Sequence, residues 1–226
     1  MKPVIGLVER ADINRDNCFD YYRRAVIESG GIPIAILPPQ NIIYDEARTD
    51  EIPKLSKKDL EILDREISLC DGIILCGGDR IYPYQEYIYK KVTEINMPLF
   101  GICLGMQIFA YVQDKNNLEK NNTIFSHKKD DKRYVHEVNI SKYSKIFQII
   151  NKSRIMVNSS HNVHVSNIND YIVSATSFDG LIEAVEHPDK TFNIGVQWHP
   201  ERMIDYDENS KKIFDYFIKC CKEEEL

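Results

Sequence analysis

The chain reads as an α/β protein: a doubly wound, mostly parallel sheet flanked by helices, with a small antiparallel addition in its second half. Three observations predict this. Short apolar runs such as Val4–Val8 and Ile32–Leu37 read as strands, and the nearly continuous apolar character of Ile32–Leu37 suits a parallel sheet covered on both faces. They alternate with helix-period segments up to about residue 113, a β-then-α rhythm that favours a sheet built through right-handed crossovers. Beyond that point the apolar pieces become short and alternating, as antiparallel strands require.

Taken in order, Val4–Val8 is the first strand and Cys18–Ser29 a helix whose inward stripe is Tyr22, Ala25 and Val26. Gly30-Gly31 ends that helix, and Ile32–Leu37 is a second strand closed by Pro38-Pro39. Residues 40–55 form a polar connection interrupted by Pro53. A helical period with apolar positions 60, 63 and 67 spans Leu55–Leu69, before a third buried strand at Gly72–Cys76. A helix from about Tyr84 to Ile95, a fourth strand at Leu99–Ile102 and a helix over Leu104–Val112 complete the regular part.

Asp114–Arg133, ending in KKDDKR, is polar and reads as an exposed loop. Strand-like pieces follow at Tyr134–Ile140, Arg154–Val157, Tyr171–Thr176, Leu181–Val185 and Phe192–Val196. Asp207–Cys220 is a closing helix with Ile213, Phe214, Phe217 and Ile218 as its buried stripe.

Bulk properties narrow the class. At 226 residues and 43% hydrophobic, the chain can bury a large core as a single domain over 1–226. A formal charge of -6 gives no electrostatic basis for a nucleic-acid or anionic-membrane partner. The opening MKPVIGLVER lacks a long signal-type apolar region, and no run reaches the roughly 20 apolar residues needed to span a bilayer. A cytoplasmic location is expected. Six cysteines in a chain this long do not make a disulfide framework, so reduced thiols are expected, with Cys220 and Cys221 as ordinary residues of the last helix.

Five of the ten glycines fall at 72, 77, 78, 101 and 105, which concentrates unusual backbone geometry at the ends of strands three and four. Those ends face one pocket if ligands bind beyond the carboxyl edge of the sheet. Between two of the glycines stands Cys103, in Gly101-Ile-Cys-Leu-Gly105, a G-x-C-x-G spacing that parallels the serine nucleophile elbow. A late strand runs into His199-Pro200-Glu201 and supplies a base with a carboxylate two residues on to orient it. A cysteine beside an imidazolium is a nucleophile at neutral pH, whereas an unassisted thiol is mostly protonated. Taken singly, Cys103 serves equally well as core, and His199 reads more readily as a structural histidine than a catalytic one; their joint placement raises the catalytic reading.

Five segments, GGDRIYPYQEY at 77–87, FGICLGMQ at 100–107, VNSSHN at 157–162, FDGLIEAVEHP at 178–188 and GVQWHPE at 195–201, strongly resemble the class I glutamine amidotransferase-like superfamily. Within it, the chain resembles the gamma-glutamyl-gamma-aminobutyrate hydrolase group of the C26 peptidases. The resemblance implies a flavodoxin-like sheet, Cys103 as nucleophile, His199 as base, Glu201 as its orienter, and an oxyanion hole of backbone N–H groups at Gly78 and Leu104. It implies a small gamma-glutamyl substrate, hydrolysis through a thioester, no cofactor, and a possible homodimer.

The chain departs from the hydrolase pattern in three places. Leu104 stands where that group usually has arginine, making GICLG closer to biosynthetic glutaminase domains. The run Phe109–Leu118 lacks the group's asparagine-valine and glycine pairs, and Val157-Asn-Ser-Ser-His161-Asn-Val163 only partly matches VNSxHHQ.

Candidate substrate contacts are Gly77, Asp79, Tyr82, Gln107, Ser159, Ser160 and His161. All but Gly77 have a plainer alternative: a local turn for Asp79, Ser159, Ser160 and His161, an aromatic lid for Tyr82, backbone capping for Gln107. Trp198 reads as packing beside the histidine. His127, His136, His164 and His187 show no metal-ligand spacing, so no metal is expected. Two other functions stay open: a glutaminase subunit feeding ammonia to a separate synthase, favoured by GICLG, and a non-enzymatic interaction protein using the KKDDKR run.

Overall fold

Eleven strands join in one mixed sheet in the computed structural model, which describes residues 1–9, 18–44 and 52–222. Part of the polar connection expected at 40–55 lies outside the described residues. The strands are β1 (Val4–Val8), β2 (Ile32–Ile36), β3 (Gly72–Leu75), β4 (Leu99–Ile102), β5 (Leu118–Lys120), β6 (His136–Ile140), β7 (Arg154–Val157), β8 (Val163–Val165), β9 (Ile172–Ser177), β10 (Ile182–Glu186) and β11 (Asn193–Val196). The helices are α1 (Cys18–Glu28), α2 (Lys57–Ile67), α3 (Pro83–Glu94), α4 (Leu104–Gln113), α5 (Lys145–Ile150) and α6 (Glu208–Cys220).

Strand order is β2-β1-β3-β4-β11-β10-β9-β6-β7, with β8 paired to β10 and β5 to β8. Pairing is parallel from β2 to β11 and antiparallel beyond it. The fold is therefore the doubly wound sheet with an antiparallel addition that the sequence predicts, and the addition extends the same sheet.

The helix boundaries follow local chemistry. Ser56 and Asp59 form a reciprocal capping box at α2, Pro83 opens α3, and Asp207 accepts from the Ser210 N–H (2.8 Å) to start α6. On one face of the sheet, Tyr22, Ala25 and Val26 of α1 pack with Ile213, Phe214, Phe217 and Ile218 of α6. On the other, Leu63, Ile67, Ile88, Val92 and Phe109 of α2, α3 and α4 form a second core layer. Phe100 of β4 meets Phe192, Phe214 and Phe217 with ring centroids 5.7, 5.5 and 5.9 Å away. Burying such a side chain is worth about 1.5–3 kcal/mol, so β4 is firmly anchored.

Three expectations change. Ile32–Ile36 is not covered on both faces: β2 is the edge strand of the sheet among the described residues, only Ile36 within it is buried, and Ile32 and the adjoining Leu37 are exposed. Asp114–Arg133 is not wholly an exposed loop, since it holds a 3-10 turn, β5, and the buried Asn117 and His127. β8 and α5 were not expected from the pattern; three and six residues are too short to show a period.

Parallel register between β3, β4 and β11 brings their carboxyl ends level, with Leu75 beside Gly101 and Val196 beside Ile102. The segments that follow, Cys76–Asp79, Cys103–Leu104 and Gln197–Glu201, emerge side by side.

Candidate active site

Cys103 sits between β4 and α4 with φ 54° and ψ -105°, a conformation that side-chain-bearing residues rarely adopt. Such backbone strain costs on the order of 1–3 kcal/mol and persists only where neighbours impose it. Here the neighbours do. The Cys103 N–H donates to Val196 O (2.8 Å), tying the turn to β11. A Cβ on Gly105 would lie 2.1 Å from Leu75 O, and one on Gly101 would lie 2.8 Å from the Gly105 backbone. Both glycines therefore let α4 start hard against the strands, which presents the thiol at the strand ends. The Gln197 amide donates to the Cys103 sulfur at 3.5 Å.

His199 is fixed at three points. Its N–H donates to Asn158 Oδ1 and its carbonyl accepts from Asn158 Nδ2, each at 2.8 Å. Its Nδ1 lies 2.7 Å from Glu201 Oε1, in a pair that is almost wholly buried. Burial opposes charge on this imidazole, but the Glu201 carboxylate and Cys103 overcome it and raise the pKa to about 9. Arg202 Nε lies 3.5 Å from the same Glu201 oxygen. A Cβ on Gly77 would come within 3.0 Å of His199 Cε1 and 3.5 Å of Cys103 Cβ, so the bare backbone leaves room for both side chains. The Gly77 N–H donates to the Tyr22 hydroxyl at 2.8 Å. Burial, then the Glu201 charge, pushes that phenol well above its usual value and keeps it protonated.

A cavity of about 710 Å³ opens over these groups. Cys103, His199, Gly77, Gly78, Asp79, Ser159 and Ser160 all line it. Glu201 stands behind His199, and Leu104 opens α4, where a helix leaves its first N–H groups without intrahelical partners. Ser159 Oγ donates to His127 O (2.6 Å), and Ser160 Oγ donates to Asp130.

Three candidates fall elsewhere. Gln107 is buried one turn beyond Cys103, its amide donating to Val163 O (3.0 Å) and Gln197 Oε1 (3.1 Å). Tyr82 is buried among Tyr44 and Tyr84, with ring centroids 5.3 and 5.9 Å away. His161 turns away from the cavity into a buried cluster with His127, His136 and Glu183. Spacing along the chain conceals that cluster: two of its histidines are among those read as lacking ligand spacing, while His164 and His187 do not join it. Trp198 is buried in the core layer of α1 and α6.

Sequence reading passed over several residues that the structure brings to the site. Asn158 and Gln197 lie inside the VNSSHN and GVQWHPE segments, so the signal was present but carried no role. Tyr22 looked like core and is, yet its hydroxyl holds Gly77. The KKDDKR run borders the cavity, which with Arg202 carries five basic side chains against three acidic ones: Asp79, Asp130 and Asp131.

The family model described as Peptidase C26 matches residues 84–201. A Schizosaccharomyces pombe protein carrying a glutamine amidotransferase designation is 30% identical, over 97% of this chain and 87% of its own length. The gamma-glutamyl-gamma-aminobutyrate hydrolase of Escherichia coli K12 is 26% identical, over 97% of this chain and 94% of its own. Among solved structures, the glutaminase domain of Trypanosoma brucei CTPS with bound acivicin superposes with a TM-score of 0.71 at 15% identity, over 100% of this chain and 96% of that one. At that identity the likeness concerns the fold.

Proposed function

The chain belongs to the Peptidase C26 family of the class I glutamine amidotransferase-like superfamily, and from that premise we propose that it hydrolyses gamma-glutamyl amides, such as gamma-glutamyl-gamma-aminobutyrate, through a Cys103 thioester. The observation that carries this reading is that His199, paired with Glu201 at 2.7 Å, lines the same cavity as a cysteine at positive φ.

The reaction follows from those groups. Cys103 thiolate attacks the side-chain carbonyl carbon of the substrate, and the carbonyl electron pair moves to oxygen. N–H groups of Gly78 and Leu104 receive that oxyanion; the Gly77 N–H is already engaged by Tyr22. Losing one such donor costs roughly 3 kcal/mol of barrier. Collapse breaks the C–N bond as His199 passes its Nε2 proton to the departing amine, leaving a gamma-glutamyl thioester. Neutral His199 then takes a proton from water, hydroxide adds to the thioester, and glutamate leaves as the thiolate returns. Glu201 holds Nδ1–H throughout, which fixes the tautomer and supports the imidazolium. The excess of basic side chains around the cavity suits a substrate bearing carboxylates at both ends.

The test is glutamate release from a panel of gamma-glutamyl amides and glutamine, by the wild type and by Cys103→Ser. Cys103-dependent release from gamma-glutamyl amides, with little from glutamine, supports the proposal. Efficient glutamine hydrolysis only with an added synthase would instead make the chain a glutaminase subunit. No turnover and no labelling of Cys103 by a glutamine-like electrophile would point to a non-enzymatic role.

A further inference from the structure

We propose that His127, His136, His161 and Glu183 bind a divalent transition metal, zinc by the chemistry of its ligands, in a closed site that braces one wall of the cavity. The four ligand atoms lie within 4.8 Å of one another, and all four residues are buried. His127 Nδ1, His136 Nε2 and His161 Nε2 each stand 3.5 Å from Glu183 Oε1. Bonds of about 2.0–2.1 Å to a tetrahedral zinc would set its ligand atoms about 3.3–3.4 Å apart, so the carboxylate edges already match to within small side-chain rotations.

Satisfaction of polar groups points the same way. Those three nitrogens and both Glu183 oxygens have no hydrogen-bond partner among the described residues, though each is buried. Five orphaned polar atoms, one on each of the three rings and two on Glu183, would be costly in a core, and a cation held among the four side chains removes the cost. The opposite ring nitrogens are all engaged. His127 Nε2 faces the Asp179 carboxylate (3.0 Å), His136 Nδ1 faces Glu137 O (3.2 Å) and His161 Nδ1 faces Val163 O (3.0 Å). This is how ligating histidines are oriented: the outer N–H goes to a carboxylate or carbonyl, which leaves the inner nitrogen a lone pair. Glu183 and Asp179 together neutralise a divalent charge. Imidazole and carboxylate in fourfold arrangement suit zinc better than the harder magnesium or calcium, which seek six or more oxygens.

Four protein ligands leave no open position, so the site is structural. It joins β6 through His136, β10 through Glu183, and two loops through His127 and His161. Those loops carry cavity residues: His127 O accepts from Ser159 Oγ (2.6 Å) and the His161 N–H (3.0 Å), and Lys129 N–H donates to Ser159 O (3.0 Å). Metal at this point therefore fixes Ser159, Ser160 and the adjoining basic run, independently of what the Cys103 site turns over.

The experiment uses the full chain carrying Cys103→Ala, so that the thiol lining the cavity does not compete for metal. Protein stripped with chelator and titrated with Zn2+ should take up about one equivalent, measured by elemental analysis after desalting, with a raised Tm that Mg2+ does not reproduce. Cobalt substitution should give a tetrahedral visible spectrum without sulfur-to-cobalt charge transfer, which excludes the remaining cysteines. Glu183→Gln with His136→Ala should lose the bound metal. Should that variant fail to fold, Asp179→Asn still tests the site, because removing the outer carboxylate should weaken zinc affinity by roughly 10- to 100-fold. A folded, stripped protein that takes up no stoichiometric zinc, or cobalt spectra dominated by sulfur ligation, would overturn the proposal.

Discussion

The side-chain amide of Asn158 spans the backbone of His199, accepting from its N–H and donating to its carbonyl at 2.8 Å each. The imidazole is thus held at both ends: by Asn158 through the main chain and by Glu201 through Nδ1. In Asn158→Ala, two buried main-chain groups lose their partners, at a cost of about 1–3 kcal/mol for each left unsatisfied. Hydrolysis should fall mainly in kcat, with KM little changed, because His199 loses its position while the cavity keeps its shape. Steady-state kinetics beside a denaturation curve separates the two effects; a raised KM with unchanged kcat would contradict this role.

Glu201→Gln should shift pH behaviour in a defined direction. The folded His199 pKa of about 9 exceeds the roughly 6.5 of an unfolded histidine, so the folded state binds the extra proton more tightly. The resulting stability is fully present below about pH 6.5, declines as pH rises, and is gone above about 9. Removing the Glu201 carboxylate lowers the His199 pKa and moves the upper end of that window down. Urea midpoints measured across the window, and the alkaline limb of Cys103 alkylation, should both move to lower pH in the variant. An unmoved limb would mean that Glu201 does not set the imidazole's charge.

Gly105→Ala and Gly77→Ala should separate fold from site. A methyl on Gly105 meets the Leu75 carbonyl at 2.1 Å, backbone against backbone-borne atom, with nothing flexible to yield. The expected loss is about 3 kcal/mol, at the upper end of ordinary overpacking. A methyl on Gly77 meets the ends of two side chains, His199 and Tyr22, at 3.0 Å, and these can shift by tenths of an ångström. Its Tm should stay near wild type while Cys103 reactivity falls. Equal thermal losses in the two variants would refute the distinction.

Much of this arrangement was legible beforehand. The strand ends at Ile102 and Val196, the helix starting at Leu104, and the proximity of Gly77 to Cys103 follow from local periodicity and the rule that ligands gather beyond the carboxyl ends of parallel strands. The role of β2 did not follow, because an apolar run reads alike whether central or at the edge. Nor did the burial of Tyr82 and Gln107: each lies near a site segment in the chain, but its direction depends on the packing around it.

The sequence by itself determined which chemistry stands together along the chain: glycines flanking a cysteine, and a histidine two residues before a glutamate. These patterns are local, so strand and turn geometry suffices to place their side chains. Only the tertiary structure decided which distant residues meet. His127, His136, His161 and Glu183 come from two strands and two loops, and strand order in the antiparallel extension, set by long-range pairing, carries them to one point. The same pairing turns the KKDDKR run from a stretch of exposed charge into part of the wall above Cys103. No spacing rule reads out such meetings, because the physical reason for them is burial summed over the whole sheet.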